Sequence, residues 1–126
     1  MKYLCFGYVD DKKFETMSAS ERELFIKECR AYDDILRADG HFLRLEGLAR
    51  AADAKTLRAH NGNVIITDGP YAETKEQIAG ILLLEAADLA HAATLMSQHP
   101  GLRVGVFEIR AVDDPSCERM NTHSNS

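Results

Sequence analysis

Asp68-Gly-Pro-Tyr-Ala-Glu-Thr-Lys-Glu-Gln-Ile-Ala-Gly-Ile-Leu-Leu-Leu84 joins a tight, charged turn to an uninterrupted apolar run. Ile81 to Leu84 is apolar at both alternating positions, so a strand there is expected to be buried on two faces. Val64-Ile65-Ile66, just upstream, has the same character. The connection between the two runs carries Asp68, Glu73, Lys75 and Glu76, although Gly69 and Pro70 would suffice to reverse the chain. Those surplus charges mark the turn as a candidate site.

Working outward, Lys2 to Val9 is a further strand apolar on both faces. Ser18 and Ser20 each precede a Glu by three residues (Glu21 and Glu23), two overlapping capping-box signatures. Phe25, Cys29, Tyr32 and Leu36 then form one apolar stripe, widened by Leu24, Ala31 and Ile35. Charges fill the other face, and Gly40 is a natural stop. His41 to Leu48 alternates as a strand. Lys55 to His60 and Asn63 to Thr67 flank Asn61-Gly62, a strong hairpin signal. Asp88 caps a second helix with Leu89, Ala92, Ala93 and Met96 inward, ended by Pro100-Gly101. Val104 to Val112 is the last strand. Asp113 to Ser126 is polar and aperiodic, as expected of a mobile tail.

The order β-α-β, hairpin, β-α-β predicts an α+β chain. Its core is a ferredoxin-like split βαβ sheet with both helices on one face and a β-hairpin extension. Two helices leave the other face of so apolar a sheet bare, a patch too large for a soluble monomer. A homodimer packed sheet to sheet, a dimeric α+β barrel, is therefore expected. Its ligand site is expected in an apolar cleft between sheet and helices.

The 126 residues suit one domain with a core of its own. A net charge of −5 and the lack of any basic cluster argue against a nucleic-acid partner. No stretch approaches the ~20 apolar residues of a membrane span, and no signal-peptide pattern follows Met1, so a cytoplasmic protein without membrane association is expected. Cys5, Cys29 and Cys117 are odd in number and widely spaced, which fits reduced thiols. There is no phosphate loop, nucleophile elbow, dinucleotide fingerprint or helical His pair, so neither cofactor nor metal is expected.

Asp68-Gly69-Pro70-Tyr71 is followed by Glu73-Thr74-Lys75-Glu76-Gln77, Ala79-Gly80, a strand ending in Glu85, and His99-Pro100. A terminal strand with Val106, Glu108, Arg110 and Val112 closes the series. Together these resemble the YCII-related, DGPF-domain family, with Tyr71 where the motif has Phe. The similarity spans roughly Met1 to Val112, making residues 1–112 the domain and 113–126 a tail. It implies the same dimeric ferredoxin-like barrel. Some wider YCII-related proteins carry a His in the first helix and an Asp before a Pro after the second, proposed as an acid–base pair. Here the first helix, Ser20 to Asp39, has no His, and His99 stands before Pro100. That pair does not transfer, so any catalysis must be built differently. The frequent placement of DGPF genes near sigma-factor genes implies a regulatory role as a rival function.

Asp68 and His99 are the candidate acid–base residues. Gly69, Pro70, Tyr71, Glu73, Lys75 and Arg110 are the candidate ligand contacts. Each has a plainer alternative. Asp68 can fix the turn by accepting backbone hydrogen bonds; Glu73, Lys75 and Glu76 can be a solvated rim; His99 can cap the second helix. Arg110 shares a strand face with Glu108, and burial of that face would require pairing or a ligand. Two functions follow. One is a small-molecule enzyme or ligand-binding protein using proton transfer around the charged turn; the other is a non-catalytic accessory or regulatory dimer.

Overall fold

The computed structural model describes residues 1–113. Tyr3, Cys5 and Gly7 turn to the buried side of β1 (Lys2–Asp10), while Leu4, Phe6 and Tyr8 turn to the half-exposed side. β1 is central. It pairs antiparallel with β5 (Glu76–Glu85) on one side and β6 (Gly105–Ala111) on the other, and β2 (Phe42–Gly47) lies outside β5. The order β2-β5-β1-β6 is the ferredoxin-like α+β arrangement. Cross-strand neighbours Cys5 and Leu82, and Tyr3 and Leu84, meet Leu36, Ala92 and Met96 from two helices in one core cluster.

The first of those helices, α2 (Ala19–Ala38), starts at the Ser18 capping box. Glu21 N–H donates to Ser18 Oγ, and Ser18 N–H donates back to Glu21. Of the two overlapping signatures, the Ser20 one goes unused. The inner stripe is narrower than expected: Leu24 and Ile35 are exposed, as is Ala31, and a carboxylate, Asp33, is buried in their stead. Gly40, at φ +80°, ends the helix as expected.

α3 (Leu89–Met96) is capped by Asp88, which accepts from His91 N–H. Ala92 and Met96 face the core, whereas Leu89 and Ala93 face outward, because an eight-residue helix lying on a sheet buries only one edge. Pro100-Gly101 does not end α3; it opens a separate 3-10 turn, Pro100–Arg103. A five-residue helix, α1 (Asp11–Glu15), has no apolar stripe to announce it and depends on Asp10 as its cap.

β3 (Lys55–His60) and β4 (Asn63–Asp68) form the hairpin, with Asn61 and Gly62 both at positive φ as its two-residue loop requires. Val64, Ile65 and Ile66 are exposed, not buried on two faces: the hairpin is a sheet of its own, extending away from the core cluster. β5 begins at Glu76, five residues before Ile81, so the end of the charged segment already belongs to the sheet. The expected tail, beyond Asp113, and with it Cys117, lies outside the described residues. No helix among the described residues is long and apolar enough to cross a membrane.

Candidate functional site

The helical repeat that buries Phe25 and Leu36 and half-buries Cys29 also carries Asp33 inward, four residues beyond Cys29. The segment after α3 brings His99 to the same depth, and both residues are 7% exposed. His99 Nε2 lies 2.8 Å from Asp33 Oδ1, and Gly101 N–H donates to His99 Nδ1 at 2.9 Å. An amide N–H can only be accepted by a bare ring nitrogen, so the proton sits on Nε2 and is donated to Asp33. The ring is held edge-on by Tyr32 and Phe107, at centroid distances of 5.5 and 5.1 Å. Tyr32 is fixed in turn by donating its hydroxyl to Leu95 O. Gly101 has no room for a side chain: a Cβ there would stand 2.9 Å from Phe107 and 3.0 Å from His99 Nδ1.

His99 forms part of the wall of a largely apolar cavity of ≈ 470 Å³ between the sheet and α2, with Gly7, Phe25, Cys29, Leu82 and Phe107. That is within the usual range for a small-molecule site. A second cavity, ≈ 600 Å³, lies under the charged turn, against Pro70, Tyr71, Thr74 and Glu76. The two adjoin, sharing Tyr8, Gln77, Ile78 and the segment from Leu48 to Ala51. Burial pushes the thiols of Cys5 and Cys29 up, to about 12 and about 11, so both behave as packing groups rather than nucleophiles. For Cys29 the Asp33 charge adds to the effect. Among the described residues no three His, Cys, Asp or Glu side chains gather as metal ligands.

The residues singled out in the charged turn are distributed differently from His99. Asp68 ends β4 in solvent, its side chain 83% exposed, paired with Lys55 and lining neither cavity. Gly69 is the turn element proper: at φ +97° its N–H donates to Ala54 O, and its carbonyl accepts from Thr56. Pro70 and Tyr71 line the outer cavity, and the Arg58 guanidinium lies over the Tyr71 ring at 4.8 Å. Glu73 is exposed. Lys75 reaches back to Asp10 Oδ2, 3.5 Å away, and Asp10 is buried at the start of α1. Arg110 lies on the open face of the sheet with Glu108, which accepts a hydrogen bond from the Tyr8 hydroxyl. Thus Asp68 and His99 are not brought together. His99 does not cap the end of α3 with its ring; the ring caps the 3-10 turn that follows.

Asp68→Asn is expected to change stability by no more than about 1 kcal/mol, since it weakens one solvated ion pair, and to leave fragment binding unaltered. Thermal melts and a fragment screen of the variant against the parent check this. A clear loss of binding would return Asp68 to the site.

Asp33, the buried partner of His99, was not among the candidate site residues read from the sequence. A signal was available: Asp33 continues the spacing of Phe25 and Cys29, and the family resemblance implied an acid–base pair drawn from the first long helix and the residue before a Pro. The structure has such a pair with its members exchanged, carboxylate on the helix and imidazole before Pro100.

A family model described as the YCII-related domain matches residues 1–115. An uncharacterized protein of Rhizobium meliloti (strain 1021) is 31% identical over 114 residues, covering 87% of this chain and 90% of that protein. Among solved structures, 5-chloro-2-hydroxyhydroquinone dehydrochlorinase (TftG) of Burkholderia phenoliruptrix AC1100, in complex with 2,5-dihydroxybenzoquinone, is similar in fold. Its TM-score is 0.53 at 14% identity, over 90% of this chain and 94% of that one.

Proposed function

Since the chain belongs to the YCII-related family, we propose that it binds a small, largely apolar molecule in the ≈ 470 Å³ cavity and moves a proton on it with the Asp33–His99 pair. The observation that carries this is a buried carboxylate–imidazole pair whose histidine lines the cavity. Asp33 holds Nε2–H, orients the ring and stabilises the imidazolium once a proton arrives, the division of labour of an orienting carboxylate and a base. Nδ1 is the basic atom. Its present partner is the Gly101 amide, a neutral hydrogen bond worth about 0.5–1.5 kcal/mol net, which an acidic O–H or C–H of the ligand displaces. By fold-level analogy with the dehydrochlorinase, whose name and bound molecule are hydroxylated rings, the ligand is a ring-sized phenol or enolisable ketone.

The test is deuterium exchange followed by proton NMR, with a panel of cyclic 1,3-diketones and dihydroxyquinones in D2O. At least one panel member is expected to exchange faster with the parent, and Asp33→Asn to lose about 100-fold or more of that rate, the usual scale of acid–base assistance. A panel that exchanges no faster than in buffer, or a variant as fast as the parent, contradicts the proposal.

One observation favours a second function, that of a non-catalytic accessory or regulatory protein: both His99 nitrogens already have partners, as in a purely structural clasp between α2 and the 3-10 turn. In that case Asp33→Asn lowers the melting temperature and leaves ligand binding unchanged.

We further propose a homodimer. Leu4, Phe6, Ile81 and Leu83 lie on the sheet face opposite the helices, flanked by Arg44–Glu46 on β2 and by Glu108 and Arg110 on β6. A second copy related by a two-fold axis would bury that apolar centre and face charged edges of both signs. Light scattering is expected to give twice the chain mass for the parent, and the single-chain mass for Phe6→Glu. A monomeric parent at micromolar concentration would refute the proposal.

A further inference from the structure

Neither cavity wall contains a lysine, and each contains the same single arginine, Arg50. It lies where the two cavities adjoin. Its backbone is well placed for a fixed role: Leu48 N–H donates to Ala79 O on β5, and Asp53 N–H donates to Arg50 O, so the segment is pinned on both sides of the residue. Five other arginines among the described residues have charged or aromatic partners. Arg37, Arg44 and Arg103 each form an ion pair, and Arg22 and Arg58 lie over aromatic rings. Four carboxylates also line the two cavities, Asp11 and Glu15 in one, Asp53 and Glu76 in the other. Among the described residues none of them comes within ion-pair distance of Arg50.

We propose that Arg50 anchors an acidic group on the ligand, so that the site selects ring-sized molecules bearing a carboxylate over neutral molecules of the same shape. This rests on the inner cavity being the ligand site. A planar guanidinium presents paired donors to a carboxylate, while the apolar wall of Phe25, Leu82 and Phe107 takes the ring. The four cavity-lining carboxylates repel anions in general, so selection has to come from direct contact with Arg50. An ion-pair partner already in place would have offset that contact.

The experiment is calorimetric titration with 2-naphthoate and its uncharged analogue 2-naphthamide, using the parent, Arg50→Gln and Arg50→Lys. The parent is expected to bind the naphthoate at least about tenfold more tightly, a difference of about 1.4 kcal/mol. Arg50→Gln is expected to abolish the preference while binding the amide like the parent, and Arg50→Lys to restore part of it, since an ammonium cannot form the paired contact. Equal binding of the two probes by the parent, tighter binding of the amide, a preference that survives in Arg50→Gln, or binding of neither probe would each overturn the inference. A parent that prefers the naphthoate but catalyses no deuterium exchange supports Arg50 as the anchor and removes only the catalytic proposal. A parent that catalyses exchange without the preference removes only this inference.

Discussion

Gly105→Ala is expected to destabilise the chain by about 3 kcal/mol or more, at or beyond the top of the usual overpacking range. A Cβ at Gly105 would lie 1.7 Å from Tyr8 O and 2.8 Å from its carbonyl carbon. Backbone cannot swing aside as a flexible side chain can, so β6 has to separate from β1 at its first pair, Val9 with Gly105. The hydrogen bond from Asp10 N–H to Val104 O goes with it, and Phe107, which packs against His99, is two residues away. Gly7→Ala makes the comparison: its closest contact would be a side-chain atom of Phe107 at 3.2 Å, which has some freedom to give way. Urea melts of the two variants are expected to rank Gly105→Ala well below Gly7→Ala. Equal midpoints would mean that the β1–β6 junction is looser than described.

The second large effect belongs to Asp33. Asp33→Ala strands the Nε2–H of a buried neutral imidazole, at about 1–3 kcal/mol, and adds a cavity cost by emptying a side-chain volume under it. Asp33→Asn keeps the volume and an acceptor oxygen for Nε2–H but removes the charge that would stabilise an imidazolium. It is expected to stay folded, within about 1–2 kcal/mol of the parent, while losing proton transfer. The two substitutions thus separate clasp from chemistry: melting curves register the first, exchange rates the second. Melting curves in which Asp33→Ala matches the parent would show that the pair is not holding α2 to the 3-10 turn.

Much of the fold is legible in the sequence because its signals are local. Ser18 with Glu21, Asn61-Gly62 and Asp88 each act within a few residues, and each forms the cap or turn that its spacing indicates. The split order of the sheet follows from the sequence of elements. Burial was harder to read. Val64, Ile65 and Ile66 have the composition of a core strand, yet they are exposed on a hairpin, because that hairpin forms a sheet of its own instead of joining the four-stranded one. Leu24 and Ile35 mislead for a related reason: a wide apolar stripe does not say which edge meets the sheet.

The site was less legible than the fold. Charge density drew attention to Asp68, Glu73 and Lys75, whose roles in the structure are a solvated ion pair, an exposed rim position and a tether to Asp10. The carboxylate proposed for the site, Asp33, sits where charge is rarest, on the inner stripe of α2. Its partner is 66 residues away in the chain. A pair so distant in sequence has no spacing of its own, and only the packing of α2 against the segment after α3 brings the two together. Among buried groups, a single carboxylate on an apolar stripe is the more informative signal, because burying it without a partner costs several kcal/mol.

The Asp33–His99 pair is open to two-bond proton–nitrogen NMR of the imidazole rings, recorded on the nitrogen-15-labelled parent at mildly alkaline pH and repeated on Asp33→Asn. His99 is expected to hold its proton on Nε2, in a strong hydrogen bond that weakens visibly in Asp33→Asn, and to leave Nδ1 bare as the base. A His99 protonated on Nδ1, or one whose Nε2–H signal is indifferent to Asp33, would contradict this assignment.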